Sequence, residues 1–131
     1  MTAFWKVVND GEVTVDKAIP TKRVGNFDLR ELDTGTDNNV VLIFKLRGKK
    51  GSALKMANKT GTTTHPIPLD PTANNADTFN LDDTFTTPQL KFEVLEVELF
   101  SRTGNQLTIT LDNPAGTRDI TVSDVKILYH D

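Results

Sequence analysis

Residues 90–99 read Leu90-Lys91-Phe92-Glu93-Val94-Leu95-Glu96-Val97-Glu98-Leu99, and their alternation is the strongest strand signal in the chain. Leu90, Phe92 and Val94 alternate with charged residues; Leu95, Val97 and Leu99 then do the same on the other parity. A period of two belongs to a half-buried strand, because successive side chains point to opposite faces of a sheet. The phase reverses between Val94 and Leu95, and a one-residue slip turns every side chain to the other face. A β-bulge or a change of sheet is therefore expected there, keeping each apolar set against the core.

The same period extends on both sides. Downstream, Leu107, Ile109 and Leu111 are separated by threonines; Ile120 and Val122 follow, and Val125, Ile127 and Tyr129 resume on the opposite parity. Gly104-Asn105 and Asn113-Pro114-Ala115-Gly116 supply turns. Upstream, Val40 to Arg47 begins apolar on both faces, which suits a central strand covered on both sides, and Gly48-Lys49-Lys50-Gly51 turns the chain toward Ala53 to Ala57. Ala3 to Val8 and Glu12 to Lys17 flank Asn9-Asp10-Gly11, and the Asp-Gly dipeptide predicts a tight hairpin. Thr60 to Pro88 is an irregular Thr/Pro/Asn/Asp excursion, with short strands expected near Ile67 and Phe79. Nineteen threonines favour strands, and no stretch sustains a 3.6-residue apolar period. The expectation is an all-β, two-sheet antiparallel β-sandwich, a jelly roll with little helix, forming a single domain over 1–131.

Composition narrows the function. A chain of 131 residues, 37% hydrophobic, can bury a core without staples. The absence of cysteine excludes disulfides, thiolate metal sites and a cysteine nucleophile. His65 and His130 are too few for a histidine metal centre, and each reads as a solvated surface group. The longest apolar run, Val40 to Phe44, is too short for a membrane span, and the first residues lack the apolar core of a signal peptide, so no membrane and no export are expected. The net charge of −3 conceals a segregation: −2 over residues 1–37, +6 over 38–69 and −7 over 70–131. Lys45, Arg47, Lys49, Lys50, Lys55 and Lys59 form the basic segment, which predicts an electrostatic docking surface for an acidic protein partner. Nucleic acid is not expected, because Phe44 is the only aromatic residue there and reads as core.

Leu32-Asp33-Thr34-Gly35-Thr36 resembles the active-site loop of retroviral-type aspartic proteases. That resemblance implies Asp33 as a catalytic carboxylate, paired with its copy in a homodimer. The late apolar-apolar-Gly element of those proteases has no counterpart here, and Asp-Thr-Gly is equally a turn whose Asp caps its own backbone. Asp70, Asp77, Asp82, Asp83, Asp112, Asp119 and Asp124 lie in or beside loops and offer oxygens of the kind calcium takes, without the spacing of a helical calcium loop. No metal and no cofactor are expected.

Two further resemblances bear on function. Leu107 to Leu111 and Ile120 to Ile127 look like the last strands of carbohydrate-binding modules with the galactose-binding-like jelly roll. This implies sugar stacking on exposed rings, for which Trp5 and Tyr129 are the candidates. In architecture the chain is similar to bacteriophage capsid decoration (cement) and minor virion proteins. That resemblance implies a non-enzymatic structural protein of the virion, made in the host cytoplasm, that binds an assembled capsid as a homo-oligomer and gains avidity from repeated contacts. The decoration role is the leading expectation, with the carbohydrate-binding module as the alternative and the protease as the remote one.

Overall fold

The computed structural model describes residues 1–35, 37–69 and 77–131. Among these residues nine strands run β1 (Ala3–Asp16), β2 (Thr21–Phe27), β3 (Asn39–Gly48), β4 (Ala53–Thr60), β5 (Thr63–Pro66), β6 (Thr78–Asn80), β7 (Phe85–Glu96), β8 (Asn105–Leu111) and β9 (Asp119–His130). One sheet has the order β1-β9-β3-β7; the other has β2-β8-β4-β5, with β6 also paired to β4. Every pairing is antiparallel. The chain changes sheet at each step from β1 to β4 and from β6 to β9, the trace of a jelly roll. One 3-10 turn, Val97–Leu99, is the only helical element among the described residues. The expected all-β sandwich is the observed fold.

Alternation builds the core. Val40, Leu42, Phe44 and Leu46 of β3 meet Leu54 and Met56 of β4 and Leu107, Ile109 and Leu111 of β8, all buried. The amide of buried Asn105 fixes the start of β8. It donates to the carbonyls of Phe27 and Ser101, while its oxygen accepts from the Ser101 N–H and the Asn58 amide. Thus one side chain ties β2, β4 and β8 together. Where β1 crosses β2 only glycine fits, since a Cβ on Gly25 would lie 2.6 Å from the Val8 carbonyl oxygen.

Three local expectations are corrected. Asn9-Asp10-Gly11 does not reverse the chain. Residues on both sides of it pair with β9, from Ala3↔His130 to Asp16↔Asp119, with register shifts around Asn9. The Asn9 side chain accepts from the Gly11 N–H at 2.7 Å and donates to the Val24 carbonyl at 2.9 Å, so the turn residues form a bulge anchored to β2. The parity reversal in β7 makes no bulge either, for the β3–β7 register runs unbroken from Asn39↔Glu96 to Leu46↔Gln89. Leu95 is buried, and Leu90, Phe92 and Val94 therefore point outward, 69%, 63% and 61% exposed. Lys91 and Glu93 point inward and pair at 2.9 Å, with the Lys91 ammonium 4.2 Å from the centre of the Phe79 ring. Among the described residues β7 is an edge strand, where the two inward charges, 21% and 14% exposed, neutralise each other and guard the edge. Finally, β3 is central but is covered on one side only: Val41 and Ile43 are half-buried on the outer face.

The other parity reversal, in β9, is a true bulge. Asp124 adopts φ 49° and lets Ile120 and Val122 share the core with Val125 and Ile127.

Candidate binding site at the edge of the four-stranded sheet

β1 forms one edge of its sheet and divides its side chains between two surfaces. Phe4 turns inward and stacks on Tyr129 with ring centres 5.4 Å apart. Trp5 and Val7 turn outward, 58% and 52% exposed. Beside this edge runs the segment Asp28-Leu29-Arg30-Glu31-Leu32. Leu29 and Leu32 are buried and held by backbone, the Leu29 N–H donating to the Arg102 carbonyl at 2.9 Å and the Leu32 N–H to that of Leu29 at 3.0 Å. Arg30 and Glu31, lying between these plugs, are forced outward.

A cleft of about 280 Å3 opens between the two, walled by Trp5, Lys6, Asp28, Arg30 and Glu31, with Phe4 and Tyr129 beside them. Its groups are organised. The Asp28 carboxylate accepts from the Gly104 N–H at 2.9 Å and from Arg30 at 3.1 Å; the Gly104 bond foremost holds its pKa below the ordinary value. Glu31 accepts from the Tyr129 hydroxyl at 2.7 Å, and that bond lowers its pKa. Burial, reinforced by Glu31, pushes the Tyr129 phenol up to about 12. At neutral pH the cleft therefore presents two carboxylate acceptors, a guanidinium and an ammonium beside an indole face. Such a set binds a neutral polyol well: hydroxyls bridge carboxylate and guanidinium, and an apolar C–H face covers the ring. A second hollow of about 280 Å3 lies on the other side of Trp5, lined by Val7 and Lys126.

The candidates from sequence fall differently. The Trp5 ring stands on the surface between both hollows. Tyr129 is corrected: it is 6% exposed, its face is taken by Phe4, and it acts by orienting Glu31 rather than by stacking on a ligand. The six cations do not form one surface, because the chain passes from β3 to β4 in their midst and so between sheets. Lys45 and Arg47 lie on the outer face of the four-stranded sheet, paired with Asp124 at 3.0 Å and Glu12 at 3.1 Å. Lys49 and Lys50 sit in the exposed connection. Lys55 and Lys59 belong to the other sheet, Lys55 with Asp112 at 3.4 Å. Acids from distant segments thus meet half of the basic run.

Asp33 caps its own turn, accepting from the Gly35 N–H at 3.0 Å on an exposed loop; Thr36 of that motif lies outside the described residues. Among the described residues no group of three or more His, Asp or Glu side chains is placed to hold a metal ion; Asp70 lies outside them. His65 bonds Thr60 at 2.9 Å, and His130 bonds the Asp131 carbonyl oxygen at 2.9 Å. Lys6, Asp28, Arg30 and Glu31 belong to no sequence motif. The available signal was Leu29 and Leu32 set among charges, two apolar plugs that fix the direction of the residues between them.

Fold and topology together define a jelly-roll β-sandwich module. Among solved structures the chain is similar to a mutant of a family 29 carbohydrate-binding module, at 10% identity and a TM-score of 0.52, over 99% of this chain and 88% of that one. A second mutant module of family 29 gives 10% identity and a TM-score of 0.51, over 98% and 94%. A structure of infectious bursal disease virus, Gx strain, aligns at 14% identity and a TM-score of 0.45, over 98% of this chain and 32% of the viral one. These are likenesses of fold. No family model matches the chain, and no curated protein sequence matches it.

Proposed function

We propose that this chain is a non-catalytic binding module that takes a neutral carbohydrate chain in the cleft beside Trp5. One observation carries the reading: the exposed indole at a strand edge stands against a prearranged set of sugar-bonding groups, Asp28, Arg30 and Glu31. The likeness in fold to family 29 carbohydrate-binding modules supports it. The cleft is small, at the lower limit of ligand pockets, so it grips a short stretch of a longer chain. The test is a glycan array of neutral oligosaccharides, followed by calorimetry on any hit. Trp5→Ala and Arg30→Ala should each weaken binding at least about tenfold with an unchanged circular-dichroism spectrum. An array without hits, or a hit indifferent to Trp5→Ala, removes the reading.

Capsid decoration is the second reading, and the exposed apolar stripe of β7 is the observation in its favour. Its electrostatic form has less support, since the basic residues are divided between surfaces. Co-sedimentation with assembled shells, repeated with Phe92→Glu, tests it.

A further inference from the structure

The outer face of the four-stranded sheet is apolar over most of its width. One transverse row holds Trp5, Leu128, Val41 and Val94; the next holds Val7, Lys126, Ile43 and Phe92. Leu90 and Lys45 follow on one side, Glu96 and Asn39 on the other. Trp5, Val7, Leu90, Phe92 and Val94 are each more than half exposed. With the half-buried Val41, Ile43 and Leu128 and the stems of the two lysines, the face offers about 700 Å2 of accessible surface, taking aromatic side chains at ~150–250 Å2. Lone soluble chains seldom carry an apolar patch above roughly 600 Å2, and a standard interface takes about 800 Å2 from each partner.

We propose that a second copy of this chain docks on this face, sheet against sheet. Area is the first argument, since two such faces together reach the size of a specific interface. Charge is the second, because the patch is complementary to itself. A twofold axis lying across the strands between the two rows sets Val94 on the partner's Phe92 and Val41 on the partner's Ile43. The same operation sets Glu96 over the partner's Leu90, one strand spacing (about 5 Å) to the side of the partner's Lys45 and within reach of its long side chain. Among the described residues no cation lies within ion-pair distance of Glu96, and Lys45, held on one side by Asp124 at 3.0 Å, has further N–H donors to give. The contact is closed and isologous, so it stops at two copies. Twisted sheets stack in this way inside sandwiches, about 10 Å apart.

Sedimentation equilibrium of the full chain, with no glycan present, tests the proposal. The wild type should show a monomer–dimer equilibrium in the micromolar range, with Kd on the order of 10 µM. Phe92→Glu should weaken it at least about thirtyfold, while its thermal melt confirms the fold. Glu96→Lys, which sets two cations together, should weaken it several-fold. Glu98→Lys makes the same charge change away from the two rows and should leave it unaltered. A wild type that stays monomeric at about 300 µM, a Phe92→Glu dimer as tight as the wild type, or equal effects of Glu96→Lys and Glu98→Lys overturns the proposal.

Discussion

Replacing Leu95 and Phe92 by alanine, one at a time, tests which side of β7 faces the core. Leu95 is 2% exposed. Its truncation removes three carbons at ~0.8 kcal/mol each and leaves a cavity, for a loss of about 3 kcal/mol. Phe92 is 63% exposed, so folding removes only about 75 Å2 of its ring from water. At ~25 cal/mol per Å2 the whole side chain is worth at most about 2 kcal/mol, and truncation to alanine should cost about 1. Urea unfolding followed by far-UV circular dichroism, below about 1 µM to stay under the dimer range, reads both. With a slope near ~1.5 kcal/mol/M, the midpoint should fall by about 2 M for Leu95→Ala and about 0.7 M for Phe92→Ala, the slope unchanged. Inverted faces give the opposite order, with Phe92→Ala losing ~3–5 kcal/mol. A Phe92→Ala loss equal to that of Leu95→Ala refutes the outward stripe.

Gly25→Ala forces a Cβ to 2.6 Å from the Val8 carbonyl oxygen; the strands must part, and about 1–3 kcal/mol of stability should be lost in the same denaturation assay. Asn105→Ala orphans buried groups on Phe27, Asn58 and Ser101 and should cost about 3 kcal/mol or more, whereas an exposed control such as Asn26→Ala should stay within ~0.5. Tyr129 is the only tyrosine, so ultraviolet titration isolates its phenol, which should ionise near 12 and fall back toward 10 in Glu31→Gln. Its folded pKa is raised, so its stabilisation is complete below the unfolded phenol value and fades as pH rises through that value toward 12. Glu31 runs the other way: its lowered pKa stabilises the fold above the ordinary carboxylate range and is lost on acidification through the folded value, so Glu31→Gln should unfold less steeply in acid.

Two parity reversals, alike on paper, show what the sequence could reveal. At Ser123-Asp124 and at Val94-Leu95 the apolar phase shifts by one residue, and the physical resolutions differ. β9 is bounded by β1 and β3, so its whole inner side must be apolar, and a bulge at Asp124 absorbs the extra residue. Among the described residues β7 has a neighbour on one side only, so its apolar set can leave the core without orphaning any other strand. Period and turn chemistry gave the sandwich; position within a sheet, which arises from non-local pairing, gave the faces. Asn9-Asp10-Gly11 teaches the same lesson, since its local preference for a turn yields to continuous pairing with β9. At the site, Trp5 was legible as an aromatic residue at one end of the chain. The partnership of Asp28 with Gly104 and of Glu31 with Tyr129 was not, because it joins residues 76 and 98 positions apart. The basic run was legible as charge, yet its meaning depended on acids contributed by β1, β9 and the segment after β8.

The exposure of Trp5 has a spectroscopic consequence. It is the chain's only tryptophan, and it is already wet in the native state. Its emission should therefore change little when the chain unfolds and shift to the blue when something covers the ring. The molecule thus carries an intrinsic label that is nearly silent to folding and responsive to occupancy. An unlabelled fluorescence titration can then report on ligand or second copy without a stability change passing for binding.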